Sequence, residues 1–238
     1  MSKIFITGST DGIGFLAAKQ LLKEGHEVYF HARNEKRAKD VKQKLEKEVK
    51  VLVADLSDIN QIRRLARELN EFGPYDAIIH NAGVISVPSE IMFTVNVIAP
   101  YLLTTLVEKP ERLVYLSSSM HRSGNTFKGN LNIQNVNYSD SKLYITTLMS
   151  AFARQYPDMY INAVDPGWVP TKMGGSGAPD DLQKGYETQV WLATSQDREA
   201  LVSGKYFYHK KQQNTNSIVD NIAFQERLIE ACEAFIKE

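Results

Sequence analysis

Two residues of this chain have the chemistry and the spacing to move a proton together. Tyr138 and Lys142 lie four positions apart, so on a helix their side chains would share one face. A lysine cation on that face would help the tyrosine hydroxyl to release its proton. The spacing alone is weakly specific, because about one such pair is expected by chance in a chain rich in both residue types. A second pair, Tyr206 and Lys210, is in fact present.

The second pair differs in its predicted context. Lys205 to Tyr208 predicts a short strand, on which residues four apart share a face but lie about 13 Å from each other. At that distance the lysine cannot assist the hydroxyl, so this pair is not predicted to have the role of the first.

The elements around the first pair alternate between strand and helix. The predicted strands are Lys3 to Thr7, His26 to Ala32, Val49 to Ala54, Tyr75 to His80, Arg112 to Ser117, Tyr160 to Val164 and Lys205 to Tyr208. The predicted helices are Ile13 to Leu22, Asn34 to Glu48, Ile59 to Asn70, Phe93 to Val107, Tyr138 to Gln155, Leu182 to Thr194 and Ile222 to Lys237. We therefore predict an α/β fold, a Rossmann-type doubly wound parallel sheet of about seven strands with helices on both faces.

Length and composition are typical of a globular protein. The chain has 238 residues, of which 43% are hydrophobic and 24% charged. We interpret residues 1–238 as one domain with a substrate-binding segment around 171–200. The 28 basic residues balance the 28 acidic ones, so no overall electrostatic field favours nucleic acid or an anionic membrane as a partner.

Cysteine content and hydropathy indicate the compartment. Cys232 is the only cysteine, which excludes an internal disulfide and agrees with a reducing compartment. No apolar run approaches the roughly 18 residues needed to span a bilayer, and the first residues lead directly into a strand instead of a secretory signal. We therefore expect a cytoplasmic protein without a membrane span.

Three glycines follow the first predicted strand and open the first predicted helix. Gly8, Gly12 and Gly14 would let backbone N–H groups and the helix N-terminus approach a ligand closely, which suits the pyrophosphate of a dinucleotide. Their spacing, Gly-x3-Gly-x-Gly, differs from the Gly-x-Gly-x-x-Gly fingerprint of many dinucleotide sites. A turn that only packs is the alternative.

The end of the second strand bears on which dinucleotide would bind. An acidic residue there would accept from the adenosine ribose, whereas an arginine would accommodate a 2′-phosphate. The chain has Ala32 and Arg33 at this point, followed by Lys36 and Arg37 in the first turn of the next helix, where positive charge opposes the helix dipole. This placement predicts NADP(H) in preference to NAD(H); a charged, solvated helix face is the alternative.

Further motifs follow in a fixed order. Together with the glycine turn they are Thr7-Gly8-x3-Gly12-Ile13-Gly14, Asp55, Asn81-Ala82-Gly83, Asn96, Ser118, Tyr138-x3-Lys142 and Pro166-Gly167. The set resembles the short-chain dehydrogenase/reductase family over residues 3 to about 171, and it is highly specific although each motif is modest alone. The segments Arg112 to Ser118 and Gly204 to Phe207 more particularly resemble its retinol-dehydrogenase and carbonyl-reductase branch.

The resemblance implies hydride transfer between a nicotinamide and a carbonyl or alcohol substrate. Such a transfer leaves negative charge on the carbonyl oxygen, so a proton donor must stand beside it, and the family pattern makes Tyr138 this donor. Lys142 would lower the pKa of the tyrosine from about 10 and hold the nicotinamide ribose. Ser118, the middle one of three serines, would donate a hydrogen bond to the same oxygen. Asn96 would order a water that relays protons to Lys142, with a satisfied helix asparagine as the alternative.

The resemblance also implies a cofactor site at the carboxyl ends of the strands, where ligands bind in open α/β sheets. Asp55 would contact the adenine, and Val169 and Thr171 the nicotinamide carboxamide. The predicted NADP(H)-binding residues are Gly8, Ser9, Thr10, Asp11, Gly12, Ile13, Gly14, Arg33, Arg37, Asp55, Leu56, Asn81, Ala82, Gly83, Tyr138, Lys142, Pro166, Gly167, Val169 and Thr171.

Two departures from the family pattern concern the cofactor and assembly. Asp11 stands where many NADP-dependent members have a basic residue, so the NADP(H) prediction depends on Arg33 and Arg37. The stretch between Asn81 and Asn96 is shorter than usual, which removes part of the helices through which the family commonly oligomerises. A homo-oligomer is therefore left as an open alternative.

A third departure concerns the substrate. The long spacing between Ser118 and Tyr138 predicts an extra loop from Ser123 to Asn137 near the mouth of the pocket. This loop and the glycine-rich segment from Thr171 to Gly185, which could close as a lid, would select the substrate. No motif in either segment identifies it.

Other candidate residues have ordinary explanations. The five histidines lack metal-ligand spacing, so no metal site is predicted, and His80 and His121 are more simply explained as structural residues than as ligand contacts. Trp168, Met173 and Met120 would line a hydrophobic substrate pocket or belong to the core. The alternative function is a protein that senses NADP(H) without catalysis, which the intact set of Tyr, Lys and Ser disfavours.

Overall fold

Within residues 1–45 and 48–237, which the computed structural model describes, the chain forms one eight-stranded sheet. The strands β1 to β8 are Lys3–Ile6, Glu27–Ala32, Lys50–Val53, Ala77–His80, Arg112–Leu116, Tyr160–Asp165, Lys205–Tyr208 and Lys211–Gln213. Their order in the sheet is β3-β2-β1-β4-β5-β6-β7-β8, and only the β7–β8 pair is antiparallel.

Helices connect the parallel strands. The helices α1 to α8 are Gly12–Lys23, Glu35–Leu45, Ile59–Phe72, Ser89–Phe93, Ala99–Leu106, Tyr138–Gln155, Leu182–Thr194 and Ile222–Phe235. A π-helical turn, Thr94–Ile98, joins α4 to α5, and short 3₁₀ turns span Ser119–Ser123, Ile133–Asn135 and Ser217–Asp220.

Alternation of side chains along the strands divides the core into two layers. One face of the sheet, which includes Tyr115, Ala163 and Tyr206, is covered by α3, α5, α6 and α8. The other face, which includes Leu116 and Val164, is covered by α1, α2 and α7. The predicted doubly wound α/β fold is therefore confirmed.

The eighth strand was missed by the sequence analysis. All three residues of β8 are exposed, so they have none of the apolar alternation that indicates a strand. The turn before it consists of His209 and Lys210, both with positive φ (49° and 61°), although two-residue hairpin turns of this kind usually contain glycine or asparagine. Lys210 thus lies in a turn and not on the strand with Tyr206.

Two predicted helices have different limits in the structure. The helix predicted from Asn34 to Glu48 is found at Glu35–Leu45, and Glu46 and Lys47 lie outside the described residues. The helix predicted from Phe93 starts earlier, at Ser89.

In the described part of the chain, Ser89–Leu106 is the one helical stretch long and apolar enough to cross a membrane, with mean hydropathy 1.2, and 72% of it is buried inside the fold. The expectation that no apolar run approaches this length was therefore wrong, and packing within the core accounts for the composition of the stretch.

Candidate active site

The predicted site residues gather where the parallel strands end. The Thr7 N–H donates to the Ile79 carbonyl oxygen at 3.0 Å, which joins the end of β1 to the end of β4. From α6, Lys142 Nζ donates to the Leu116 carbonyl oxygen at the end of β5, at 2.8 Å. The glycine turn and the Tyr138–Lys142 pair therefore lie at the same edge of the sheet.

The glycine turn has no room for side chains at two positions. Gly8 has a φ of +65°, and a carbon added there would lie 3.0 Å from the Ala82 Cα atom. A carbon added to Gly14 would lie 2.7 Å from the Gly8 carbonyl oxygen and against the Asn81 amide. The bare backbone and the N-terminus of α1 thus form a cradle that a diphosphate can approach closely.

Asn81 and Ala82 hold this turn from the neighbouring strand. Asn81 Nδ2 donates to the carbonyl oxygens of Thr7 (2.9 Å) and Gly8 (3.2 Å), and the Ala82 N–H donates to Thr7 Oγ1 at 3.0 Å. Asn81 Oδ1 is buried and has no partner among the described residues. A buried acceptor left unpaired is costly, so this oxygen fits a site that a polar ligand completes.

His31 is a site residue that the sequence analysis did not identify. Its Nδ1 accepts from the Gly8 N–H at 3.0 Å, so its Nε2 carries the proton and donates to the Ala54 carbonyl oxygen at 2.9 Å. Burial lowers the pKa of His31 to about 4, which keeps the ring neutral. The Ser9 hydroxyl accepts from the His31 N–H at 2.9 Å. The turn is therefore fastened to β2 and β3, and a histidine inside an apolar strand was its only signal.

Asp11 caps α1 and joins two other segments. Its side chain accepts from the Gly12 N–H at 3.0 Å, pairs with Arg37 Nη1 at 3.5 Å and contacts Lys172 Nζ. The hydrogen bond from Lys172 is the main cause that lowers the pKa of Asp11. The acidic residue that departs from the family pattern is thus partly neutralised by two cations, one of them the predicted phosphate contact Arg37.

The remaining residues predicted near the adenosine lie around the ends of β2 and β3. Arg33 is exposed. Asp55 Oδ1 accepts from the N–H and the hydroxyl of Ser57, while Leu56 is buried, 5% exposed. Thr10 is buried in the glycine turn and Ile13 packs against the α1 side of the core.

The N-terminus of α6 is built to hold Tyr138 in its first turn. Asn137 and Asp140 form a reciprocal capping box, with both hydrogen bonds at 3.0 Å, which satisfies backbone donors that a helix start leaves unpaired. Lys142 Nζ lies 5.4 Å from the centre of the Tyr138 ring. Tyr138 and Lys142 are therefore neighbours on one helix face, as their spacing predicted.

The ionisation of this pair differs from the expectation. Burial, and next the charge of Asp165, raise the pKa of Tyr138 to about 12, whereas the sequence analysis expected Lys142 to lower it. Burial lowers the pKa of Lys142 to about 8, and Asp165 opposes this effect. Desolvation of the phenol is the larger of the two causes that raise the pKa of Tyr138, and the lowering of this pKa by Lys142 stays a prediction.

The three serines after β5 have different environments. Ser117 is buried and its hydroxyl pairs with the Thr146 hydroxyl at 2.6 Å, while Ser119 is exposed. Ser118 is partly exposed, and its hydroxyl accepts from the Met120 N–H at 3.3 Å. Among the three serines, Ser118 is both partly exposed and held in place by a hydrogen bond. This favours the middle serine as the predicted hydrogen-bond donor to a substrate.

Asn96 lies in the π-helical turn, a local geometry frequent at functional sites. Its Oδ1 accepts from the Val84 N–H (2.8 Å), and its Nδ2 donates to the Val84 carbonyl oxygen (3.0 Å) and to Ser141 Oγ (3.0 Å). A carbon added to Gly83 would lie 3.5 Å from Asn96 Oδ1 and 3.6 Å from Lys142 Nζ. Asn96 is thus a satisfied clamp, and Gly83 leaves a small space between it and the lysine.

The segment after β6 returns to the glycine turn. Gly167 has a φ of +79°, and the position of a carbon added to Gly12 lies 3.9 Å from Thr171 Cγ2. Val169 is buried, and Trp168 is 60% exposed with its Nε1 donating to the Gly174 carbonyl oxygen at 2.8 Å. Pro166 to Thr171 therefore borders the same site.

The loop from Ser123 to Asn137 is attached to α6 at its beginning. The Asn125 N–H donates to Asp140 Oδ1 at 2.6 Å, and a carbon added to Gly124 would lie 2.6 Å from the Ser139 carbonyl oxygen.

In the described residues no group of three or more His, Cys, Asp or Glu side chains is arranged to hold a metal ion.

A doubly wound parallel sheet with a glycine turn between its first strand and first helix defines the class of dinucleotide-binding α/β folds. The sequence matches the short chain dehydrogenase family over residues 2–181. It is 38% identical to the short-chain dehydrogenase chry4 of Gibberella zeae over 252 residues, covering 98% of this chain and 96% of the relative. It is 40% identical to the short-chain dehydrogenase chyC of Penicillium rubens with the same coverage.

Structural comparison agrees with this fold. The NADP active-site complex of RhlG from Pseudomonas aeruginosa superimposes with a TM-score of 0.71 at 21% identity, covering 87% of this chain and 96% of the other. The chain belongs to the short-chain dehydrogenase family, is an oxidoreductase, and has a fold that suits a nicotinamide cofactor.

Proposed function

We propose that this chain reduces a carbonyl compound, or oxidises the corresponding alcohol, with NADP(H), and that Tyr138 is the proton donor or acceptor. The observation that carries the proposal is the convergence of Tyr138, Lys142 and partly exposed Ser118 at the same sheet edge as the glycine cradle. When bound, the cofactor supplies or accepts the hydride at its nicotinamide ring.

The chain's own residues handle the proton and the charge. With a pKa raised to about 12, Tyr138 carries its proton near neutral pH and can donate it to a carbonyl oxygen that gains negative charge. The Ser118 hydroxyl can donate a hydrogen bond to the same oxygen. Lys142 would favour the phenolate once the proton has left, and Asn96 orders the helix turn opposite it.

Preference for NADP(H) over NAD(H) is supported by charge at the end of β2. Arg33 is exposed there, and Arg37 lies within 3.5 Å of Asp11, close to the glycine turn. Lys172 also neutralises Asp11, which weakens its repulsion of a 2′-phosphate. We expect Asp55 and Leu56 to border the adenine and Val169 and Thr171 the carboxamide.

The substrate we propose is apolar around its carbonyl group. Met120, Trp168 and Met173 are large apolar side chains that are 45%, 60% and 48% exposed, and they lie in segments that follow Ser118 and Gly167. Apolar walls with few polar groups are usual in small-molecule sites. The segment 171–200 and the Ser123 to Asn137 loop would select the substrate in a single cytoplasmic domain.

A screen for NADPH oxidation tests the proposal. Ketones, aldehydes, quinones and retinoids would be offered, with the Tyr138→Phe variant as the blank. The variant should lose nearly all turnover and still bind NADPH, as followed by cofactor fluorescence. Substantial turnover in the variant would exclude Tyr138 as the proton donor, and binding without turnover in the unmodified chain would favour a cofactor sensor.

A further inference from the structure

A buried carboxylate lies at the end of β6, outside the predicted catalytic set. Asp165 is only 5% exposed. Its Oδ1 accepts from the Gly167 N–H at 2.9 Å, and its Oδ2 accepts from the Tyr206 hydroxyl at 3.1 Å. Two donors of this kind stabilise an ionised carboxylate.

The strand register places this carboxylate beside the reactive pair. Asp165 alternates with Ala163 and therefore lies on the face of the sheet that α6 covers. Leu116, whose carbonyl oxygen accepts from Lys142 Nζ, is paired with Val164, the residue before Asp165. The Lys142 ammonium group lies at the end of β5, and the Asp165 carboxylate lies at the end of the neighbouring strand, β6. The backbones of neighbouring strands are about 5 Å apart.

Tyr206 connects Asp165 to the segment that carries Ser118. Tyr206 is 1% exposed, and its ring centre lies 4.6 Å from that of His121. His121 Nδ1 donates to the Ser118 carbonyl oxygen at 2.7 Å, and its Nε2 accepts from the Asn216 N–H at 3.2 Å. Because the Asn216 N–H can only donate and the Ser118 carbonyl can only accept, His121 is held as one neutral tautomer.

We propose that Asp165 is a positioning residue that favours the charged form of Lys142 and the protonated form of Tyr138, and that Tyr206 supports both Asp165 and the Ser118 turn. The inference rests on the proposed function of the Tyr138–Lys142 pair and goes beyond it. The sequence analysis gave the Tyr206–Lys210 pair no catalytic role. Tyr206 instead acquires a role through contacts with residues distant in sequence.

Several ionisable groups surround Asp165. The Tyr206 hydroxyl donates to it from β7, and its charge acts on Tyr138 and Lys142 in α6, on Tyr208 in β7 and on His121 in the turn after β5. The directions agree with the geometry: Asp165 raises the pKa of both Tyr138 and Lys142, after the larger effect of burial. Asp165 also raises the pKa of Tyr206 and opposes the lowering of the His121 pKa by burial. Arg122 acts in the opposite direction on Tyr206.

Replacement of Asp165 by asparagine should move the pH profile without removing the catalytic groups. Loss of the negative charge lowers the pKa of Tyr138, so the alkaline fall of kcat for carbonyl reduction should shift to lower pH by about one unit. The matched control is Asp180→Asn. Asp180 accepts from the Trp168 N–H nearby, but it does not contribute to the pKa shift of Tyr138 or of Lys142. A uniform loss of kcat with an unmoved profile would overturn the proposal.

A readout without turnover separates this inference from the proposed function. The ionisation of Tyr138 can be followed as the tyrosinate absorbance difference between each chain and the same chain carrying Tyr138→Phe. Asp165→Asn should move this titration to lower pH, and an unchanged midpoint would refute the role of Asp165. If Tyr138→Phe itself keeps full turnover, the proposed function fails, and the titration still decides on Asp165.

A second variant covers the case in which Asp165→Asn does not fold. Tyr206→Phe keeps the ring against His121 and removes only the hydroxyl that donates to Asp165. We expect kcat to fall by about tenfold, as for a small displacement of reactive groups, with an unchanged KM for NADPH. An unchanged kcat would refute the supporting role of Tyr206.

Discussion

Asn96 Nδ2 donates a hydrogen bond of 3.0 Å to Ser141 Oγ, across 45 positions of sequence. Ser141 lies between Tyr138 and Lys142, so this bond links the π-helical turn directly to the helix turn that carries the proposed proton donor. The same asparagine binds the N–H and the carbonyl oxygen of Val84.

Replacing Asn96 by alanine should therefore reduce both stability and activity. The partly buried Val84 backbone groups would lose their partners, at a cost of about 2 kcal/mol in the free energy of unfolding. Urea denaturation measures the first effect and NADPH turnover the second. Asn70→Ala is the control, because Asn70 makes a similar clamp on Leu106 and Glu108 at an exposed position. An equal loss in both variants would argue against burial as the cause.

Gly14→Ala should weaken cofactor binding. The added carbon would meet the Gly8 carbonyl oxygen and the Asn81 amide, and because the first is backbone, the turn itself must shift. We expect the Kd for NADPH, measured by fluorescence titration, to rise by about tenfold or more. Gly177→Ala is the matched control, since a carbon added at Gly177 meets nothing within 4 Å. Similar affinities of the two variants for NADPH would contradict the inference that the glycine turn is the cofactor-binding cradle.

Stability should fall below pH 6.5 because of His31. Its pKa is about 4 in the fold and 6.5 ordinarily, so the unfolded chain binds the proton first as the pH falls. Between pH 7 and pH 5 this should remove about 2 kcal/mol from the free energy of unfolding. His31→Asn should have a correspondingly smaller loss over that range, measured by urea denaturation at both pH values. His80, with a pKa lowered to about 3 by burial, would contribute equally in both chains.

Asp11→Asn should strengthen NADPH binding selectively. The amide can still cap the Gly12 N–H, but Arg37 would lose its carboxylate partner and a 2′-phosphate would meet less negative charge. For a half-exposed pair the gain should be modest, about threefold in Kd at low salt. NADH provides the control ligand, since it has no 2′-phosphate. A parallel improvement for both cofactors would show that Asp11 does not act through the phosphate.

Features that depend on short stretches of sequence were predicted well. The glycine turn, the seven parallel strands and the helix that carries Tyr138 and Lys142 each have a local pattern of spacing or periodicity. The structure brings these predicted residues to one edge of the sheet, while their chemical roles stay predictions.

Features that arise from contacts between distant segments were not predicted. His31 supports Gly8 from another strand, and the Asp165–Tyr206 bond joins residues 41 positions apart. The raised pKa of Tyr138 was not predicted either, because its largest cause is desolvation by the whole fold. Neither burial nor long-range pairing can be read from a local pattern.

Asp140 has two attachments whose joint effect extends to ligand binding. One oxygen closes the capping box of α6 with Asn137, and the other accepts from the N–H and the side-chain amide of Asn125. Melting of the loop and fraying of the helix end are consequently coupled events. A substrate that immobilises the loop must also slow hydrogen exchange in the first turn of α6, and this coupling is reciprocal.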